Sequence, residues 1–160
     1  MDFKTINDKI VTRIKEVYLK QYFKISKMFQ IITVGYNASK YKTLQVLTQH
    51  GWKINPGLFN YNDGSADFIF EYYEPTIKMC VTFCMSKNLK TGTLSDDRDV
   101  AKGSIYIFID RTDKLFELVK QAVTNNNYYS FGYKGDEKIF YNIITKNDDG
   151  YMIVLACPKY

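Results

Sequence analysis

The order of hydrophobic periodicities in this chain predicts an α+β fold with a mainly antiparallel sheet of five to six strands. Three observations carry that expectation. Apolar residues recur at helical spacing as far as Gln49. From Ala66 onward the period changes to two. One helical pattern is inserted among the later strands, so no βαβ alternation is sustained. With 160 residues, 46% hydrophobic, 9 Gly and 3 Pro, the chain suits a single domain, 1–160, and not a disordered or collagen-like polymer.

The elements follow in order. A long amphipathic helix is expected from about Thr5 to Thr33, with Thr5 and Asp8 as a capping-box pair. At a constant step of about 100° per residue, Ile10, Ile14, Val17, Tyr18, Ile25, Met28 and Ile32 fall on its core-facing side. Gly35 is a stop signal, and Asn37-Ala38-Ser39 carries turn chemistry. A short helix, Lys40 to Gln49, turns Leu44 and Leu47 inward, with His50 in its last turn and Gly51 past its end.

Asn55 to Ser65, rich in Asn, Gly and Pro, reads as a loop. Ala66–Tyr73 and Thr76–Ser86 then alternate as a hairpin around Glu74-Pro75. Its second strand places Ile77, Met79, Val81, Phe83 and Met85 on one face, and Thr76, Lys78, Cys80, Thr82 and Cys84 on the other. Lys87 to Gly103 is polar and too long for an ordinary connection, which marks it as mobile or functional. Ser104–Asp110 is a third strand, and Thr112 caps the inserted helix to about Val123. Tyr128–Tyr133, Lys138–Thr145 and Tyr151–Ala156 complete the sheet, with turns at Gly135-Asp136 and Asn147-Asp148-Asp149-Gly150.

Chemistry-bearing residues are sparse. Cys80 and Cys84 stand about 13 Å apart along a strand, too far to share a disulfide or a metal, and Cys157 is alone. His50 is the only histidine, and the helix end explains it. Asp67, Glu71 and Lys78 form the least implausible acid–base or magnesium cluster, although Asp67 and Glu71 alternate with Phe68, Phe70 and Tyr72 as a solvated strand face does. Asp96, Asp97 and Asp99 lie in the long polar segment. Neither GxGxxG, Walker A nor GxSxG occurs, so no cofactor and no metal are expected.

Charge points more clearly. Of 22 basic residues only Arg13, Arg98 and Arg111 are arginines, and Lys, Ile, Asn and Tyr are abundant, as AT-rich codon usage would give. That discounts the net charge of +5. Yet residues 1–34 hold seven basic and three acidic groups, net +4, leaving +1 for the rest. On a regular helix Lys9, Arg13, Lys20, Lys24 and Lys27 fall within about 60° of one another, a stripe suited to an anionic partner or to plain solvation. Leu19 and Phe23 project outside both stripes, either covered by the second helix or exposed beside Tyr22, Tyr36 and Tyr41 as an aromatic edge.

The leading expectation is therefore a non-enzymatic protein-binding module of the inhibitor, immunity or viral or phage host-modulating type. Its contacts would come from Lys9, Arg13, Lys20, Lys24, Lys27, Leu19, Tyr22 and Phe23, against a protein partner that is acidic if the lysines act. The alternative is a nonspecific nucleic-acid-binding accessory protein using the basic helix, and a third is a carboxylate- and metal-dependent nuclease. No apolar run long enough to span a membrane and no secretory leader are present, so a soluble, cytoplasmic protein is expected.

Overall fold

The first helix begins earlier than Thr5. In the computed structural model, which describes residues 2–35, 40–60, 65–88, 94–95, 103–123, 128–134, 138–147 and 150–157, Asp2 is the cap. Its carboxylate accepts the Thr5 amide proton at 2.8 Å, and that hydrogen bonding holds the Asp2 carboxyl below the usual carboxylate range. Helix α1 (Phe3–Arg13) runs into a π-helical segment (Ile14–Leu19) and continues as α2 (Lys20–Gly35).

The π segment changes what the helix buries. An i→i+5 ring encloses one residue more than an α-helical ring, so every later side chain slips back by one residue, or about 100°. Ile6, Ile10, Ile14 and Tyr18 face the core before the slip. Leu19, Tyr22, Ile25, Phe29 and Ile32 face it afterwards. Met28, inward on a constant 100° step, is instead 48% exposed.

Helix α3 (Lys40–Gln49) ends as its sequence predicts. Gly51 adopts φ +87°, its amide donates to Thr48 O, and the Trp52 amide donates to Leu47 O, which together close the helix in a Schellman motif. The inserted helix is shorter than expected. Thr112 lies in a turn, donating its amide to Asp110 Oδ1 at 3.0 Å, and α4 covers only Phe116–Ala122. Asp113 is the reason: its carboxylate takes the Leu115 amide and its carbonyl the Phe116 amide, so the chain turns once before the helix starts.

The strands are β1 (Lys53–Asn60), β2 (Ser65–Glu74), β3 (Met79–Asn88), β4 (Leu94–Ser95), β5 (Gly103–Asp110), β6 (Tyr128–Lys134), β7 (Lys138–Asn147) and β8 (Gly150–Cys157). They form one antiparallel sheet in the order β1-β2-β3-β5-β8-β7-β6, with β4 added to the end of β3. Two strands exceed the expected set. Residues 53–60 pair with β2 rather than forming a loop, and Pro56 is tolerated there because β1 is the outermost strand of the sheet among the described residues. Within the polar stretch 87–103, Lys87 and Asn88 extend β3 and Leu94–Ser95 pair with it, while Asp96, Asp97 and Asp99 lie outside the described residues. So do the turns at 37–39, 135–136 and 148–149. Strand β3 starts at Met79, since Pro75–Lys78 make the hairpin turn.

One sheet face carries the core. Phe70, Met79, Val81, Phe83, Ile105, Ile107, Ile109, Ile153 and Leu155 are buried on it, under α1, α2 and α4. Phe29 anchors the contact, with ring centroids 4.7 Å from Trp52, 5.3 Å from Phe70 and 4.8 Å from Phe83. Gly103 is required beside it, because a Cβ there would collide with the Tyr22 hydroxyl and the Phe83 ring. The opposite face presents Tyr73 and Cys84 to solvent and half-buries Cys80, Tyr106 and Phe108.

This register makes a direct prediction. Val81→Asp places an unpaired charge in the core and should cost on the order of 3 kcal/mol or more, whereas Cys84→Asp on the open face should cost about 1 kcal/mol or less. Denaturant melts of the two variants check it; equal losses would mean that the hairpin faces are assigned wrongly.

Candidate functional site

The slip at Ile14–Leu19 divides the five basic candidates into two groups. After it, Lys20, Lys24 and Lys27 stand at i, i+4 and i+7 on the side of α2 away from the sheet, and all three are exposed. Ile31, 58% exposed, continues the same row at i+11, and Met28 lies beside it. The row is about 16 Å long at 1.5 Å per residue. Lys9 and Arg13, before the slip, sit on a different row and line a groove between α1 and α4. The single five-residue stripe therefore does not form.

The aromatic and apolar candidates on this helix are corrected by the same rotation. Leu19 is 5% exposed and Tyr22 is fully buried, its ring 5.9 Å from Phe83, so neither can serve as a surface anchor. Phe23 is half-buried against the core, with its ring 5.4 Å from Tyr22. Tyr36 and the side chain of Tyr41 lie outside the described residues. What the helix does expose is Met28 and Ile31, of which a regular helical projection places Met28 inward.

The α1/α4 groove has a volume of about 400 Å³ and is open on one side. Thr5, Asp8, Lys9, Thr12, Arg13 and Glu16 form one wall, with Lys114, Leu115 and Leu118 opposite. Below it, the Tyr18 hydroxyl donates to Asp113 Oδ2 at 2.7 Å while Asp113 Oδ1 accepts the Leu115 amide at 2.8 Å. Burial first, and the Asp113 hydrogen bond and charge second, push the Tyr18 phenol well above its ordinary range. Arg13 Nε is buried and has no hydrogen-bond partner among the described residues. A buried donor in that state costs about 1–3 kcal/mol.

The remaining chemistry-bearing residues do not converge. His50 is exposed, and its Nδ1 lies 2.9 Å from the Val46 carbonyl. A carbonyl only accepts, so Nδ1 carries the proton and the ring closes the helix end. Lys78, at φ 51° in the β2–β3 turn, is ion-paired with Asp110 across the sheet, not with Glu71. That pairing dissolves the Asp67, Glu71 and Lys78 cluster; the Asp67 side chain itself lies outside the described residues. Among the described residues no three His, Cys, Asp or Glu side chains come together as a metal site. Cys80 is half-buried and Cys84 exposed, and burial together with the nearby Glu71 charge pushes the Cys80 thiol up.

No family model, no curated protein and no solved structure matches this chain. No helix among the described residues is long and apolar enough to cross a membrane.

The two thiols should differ in reactivity. With limiting iodoacetamide near pH 8, Cys84 should be alkylated several-fold faster than Cys80, because Cys84 is exposed while burial and the nearby Glu71 charge push the Cys80 thiol up. Peptide mapping by mass spectrometry reads the two rates; faster labelling of Cys80 would contradict the burial assigned to β3.

Proposed function

We propose that this chain is a non-enzymatic protein-binding module whose partner is an acidic protein segment carrying apolar anchors, docked on the outer row of α2. The observation that carries this is the co-alignment of Lys20, Lys24 and Lys27 with the exposed Met28 and Ile31. Large apolar side chains among cations suit a protein interface, in which a desolvated centre supplies affinity and rim charges steer association. They add little to a surface that tracks phosphates. The row also contains no arginine, the residue favoured for bidentate contacts to bases and phosphates.

Met28 and Ile31 are one turn apart, so a partner presenting two apolar side chains at matching spacing, flanked by Asp or Glu, would complement about three turns of α2. An inhibitor, an immunity protein and a viral or phage host-modulating factor are modules of this kind. Nonspecific nucleic-acid binding is the alternative that the same three lysines would serve.

Photocrosslinking from position 31 in the native cell, analysed for both protein and nucleic acid, tests the proposal. The expected product is a protein with an acidic segment. Met28→Ser with Ile31→Ser should speed its dissociation about tenfold or more, and Lys24→Glu with Lys27→Glu should mainly slow its association. A crosslinked nucleic acid whose affinity falls with salt at a log–log slope of roughly −2.7, as three neutralised duplex phosphates require, would overturn it. So would a protein partner indifferent to the Met28 and Ile31 changes.

A further inference from the structure

We propose that the open face of the sheet is a homodimer interface, on which a second copy of this chain packs back to back. The four described helices all lie on the opposite side, where Ile10, Tyr22, Leu47 and Val119 join the core. The open face does not have the composition of a solvated one. The β2–β3, β3–β5 and β5–β8 registers set Tyr73, Cys80, Tyr106 and Val154 side by side as one rung across four strands. Phe108 and Met152, paired in the next rung, widen it into a band. None of the six is charged; Tyr73 is 51% exposed and the other five are half-buried. A sheet face left to water ordinarily carries polar residues at such positions, and a contiguous apolar band on it marks an interaction site.

Shape, charge and area argue for a second copy as the occupant. Along the rung the side chains run large, small, large, small. A two-fold axis parallel to the strands, passing between β3 and β5, reverses that order. Tyr73 then faces the second copy's Val154, and Tyr106 faces its Cys80, so each large side chain meets a small one. The same rotation brings the Phe108–Met152 rungs of both copies to one end of the interface. Glu71, on the flanking rung, stays three strands from its counterpart, about 14 Å across the sheet, where like charges repel weakly. The chain carries a net charge of +5, but no lysine stands in the band, and those of α2 point away from it. Seven strands about 4.8 Å apart, each about eight residues long, span about 900 Å². A stable interface takes about 800 Å² from each partner. The product is a four-layer sandwich, helices outside and two aligned sheets inside, with both outer rows of α2 still accessible.

Sedimentation velocity of the full chain reads the association. The expected species at about 100 µM has twice the 18.7 kDa of one chain, with a dissociation constant of about 10 µM or tighter. A substitution enters a two-fold interface twice, so a tenfold loss per copy from Tyr73→Lys should weaken the dimer about a hundredfold. Met152→Lys should act alike, and circular dichroism melts of both variants establish that they fold. Lys24→Glu with Lys27→Glu should leave the dimer intact. In an equal mixture of ¹³C-labelled and unlabelled parent chain, isotope-filtered NOE spectra should connect the Val154 methyls of one copy with the Tyr73 ring of the other. A monomer throughout this range, a dimer without that NOE, or a dimer that survives both Tyr73→Lys and Met152→Lys would each overturn the proposal. So would a dimer lost in the α2 variant, which would assign the contact to that helix.

Discussion

Everything on the covered face of the sheet depends on the one-residue slip that the N-terminal helix makes between Ile14 and Leu19. Without it, a helix seated through Ile6, Ile10 and Ile14 would carry Tyr22 and Phe29 about 100° away from the sheet. Phe29 would then leave Trp52, Phe70 and Phe83, and the space that Gly103 keeps open would have no Tyr22 to fill it. The wider π ring lets Tyr18 and Leu19, neighbours in sequence, both be buried, where an α-helix would set them about 100° apart. Tyr18 reaches Asp113 ahead of α4, and Leu19 begins the face that α2 presents to the hairpin.

The same slip redistributes charge. Lys9 and Arg13 stay beside α4, where they meet Lys114 and a groove, while Lys20, Lys24 and Lys27 turn to the outer side with Met28 and Ile31. Local backbone geometry thus separates what composition alone would merge into one basic stripe. Two chemically distinct surfaces result: a concave one with a buried guanidinium donor, and a convex one mixing ammonium groups with apolar side chains.

Much of the fold was legible in the sequence for a simple reason. Period-two alternation is insensitive to tertiary detail, so Met79, Val81, Phe83 and Met85, and likewise Ile105, Ile107 and Ile109, point inward as their spacing predicts. Helix α3 and its Gly51 end were equally local. Strand β1 was hidden because Pro56 and Gly57 mimic a loop, and only its place at the sheet edge makes them acceptable. The start of α4 was misplaced because Thr112 has cap chemistry but spends it on Asp110. The candidate site was less legible. A projection at constant pitch cannot show a π turn, so it put Met28 inside, left Leu19 and Phe23 outside both stripes, and offered the buried Tyr22 as a surface contact. Arg13 is singled out only once α4 folds back beside α1.

The most direct measurement compares the thermal stability of two single-residue deletions. Removing the exposed Glu16 takes one residue from the widened ring, so a regular α-helix restores the same alignment and brings Ile6, Ile10, Ile14, Tyr18, Leu19, Tyr22, Ile25, Phe29 and Ile32 onto one side. Removing the exposed Lys24 instead rotates Ile25, Phe29 and Ile32 away from the sheet. A controlling phase slip predicts a melting temperature within about 5 °C of the parent for the Glu16 deletion and a fall of more than about 10 °C for the Lys24 deletion. Comparable losses in both, or a larger one for Glu16, would contradict it.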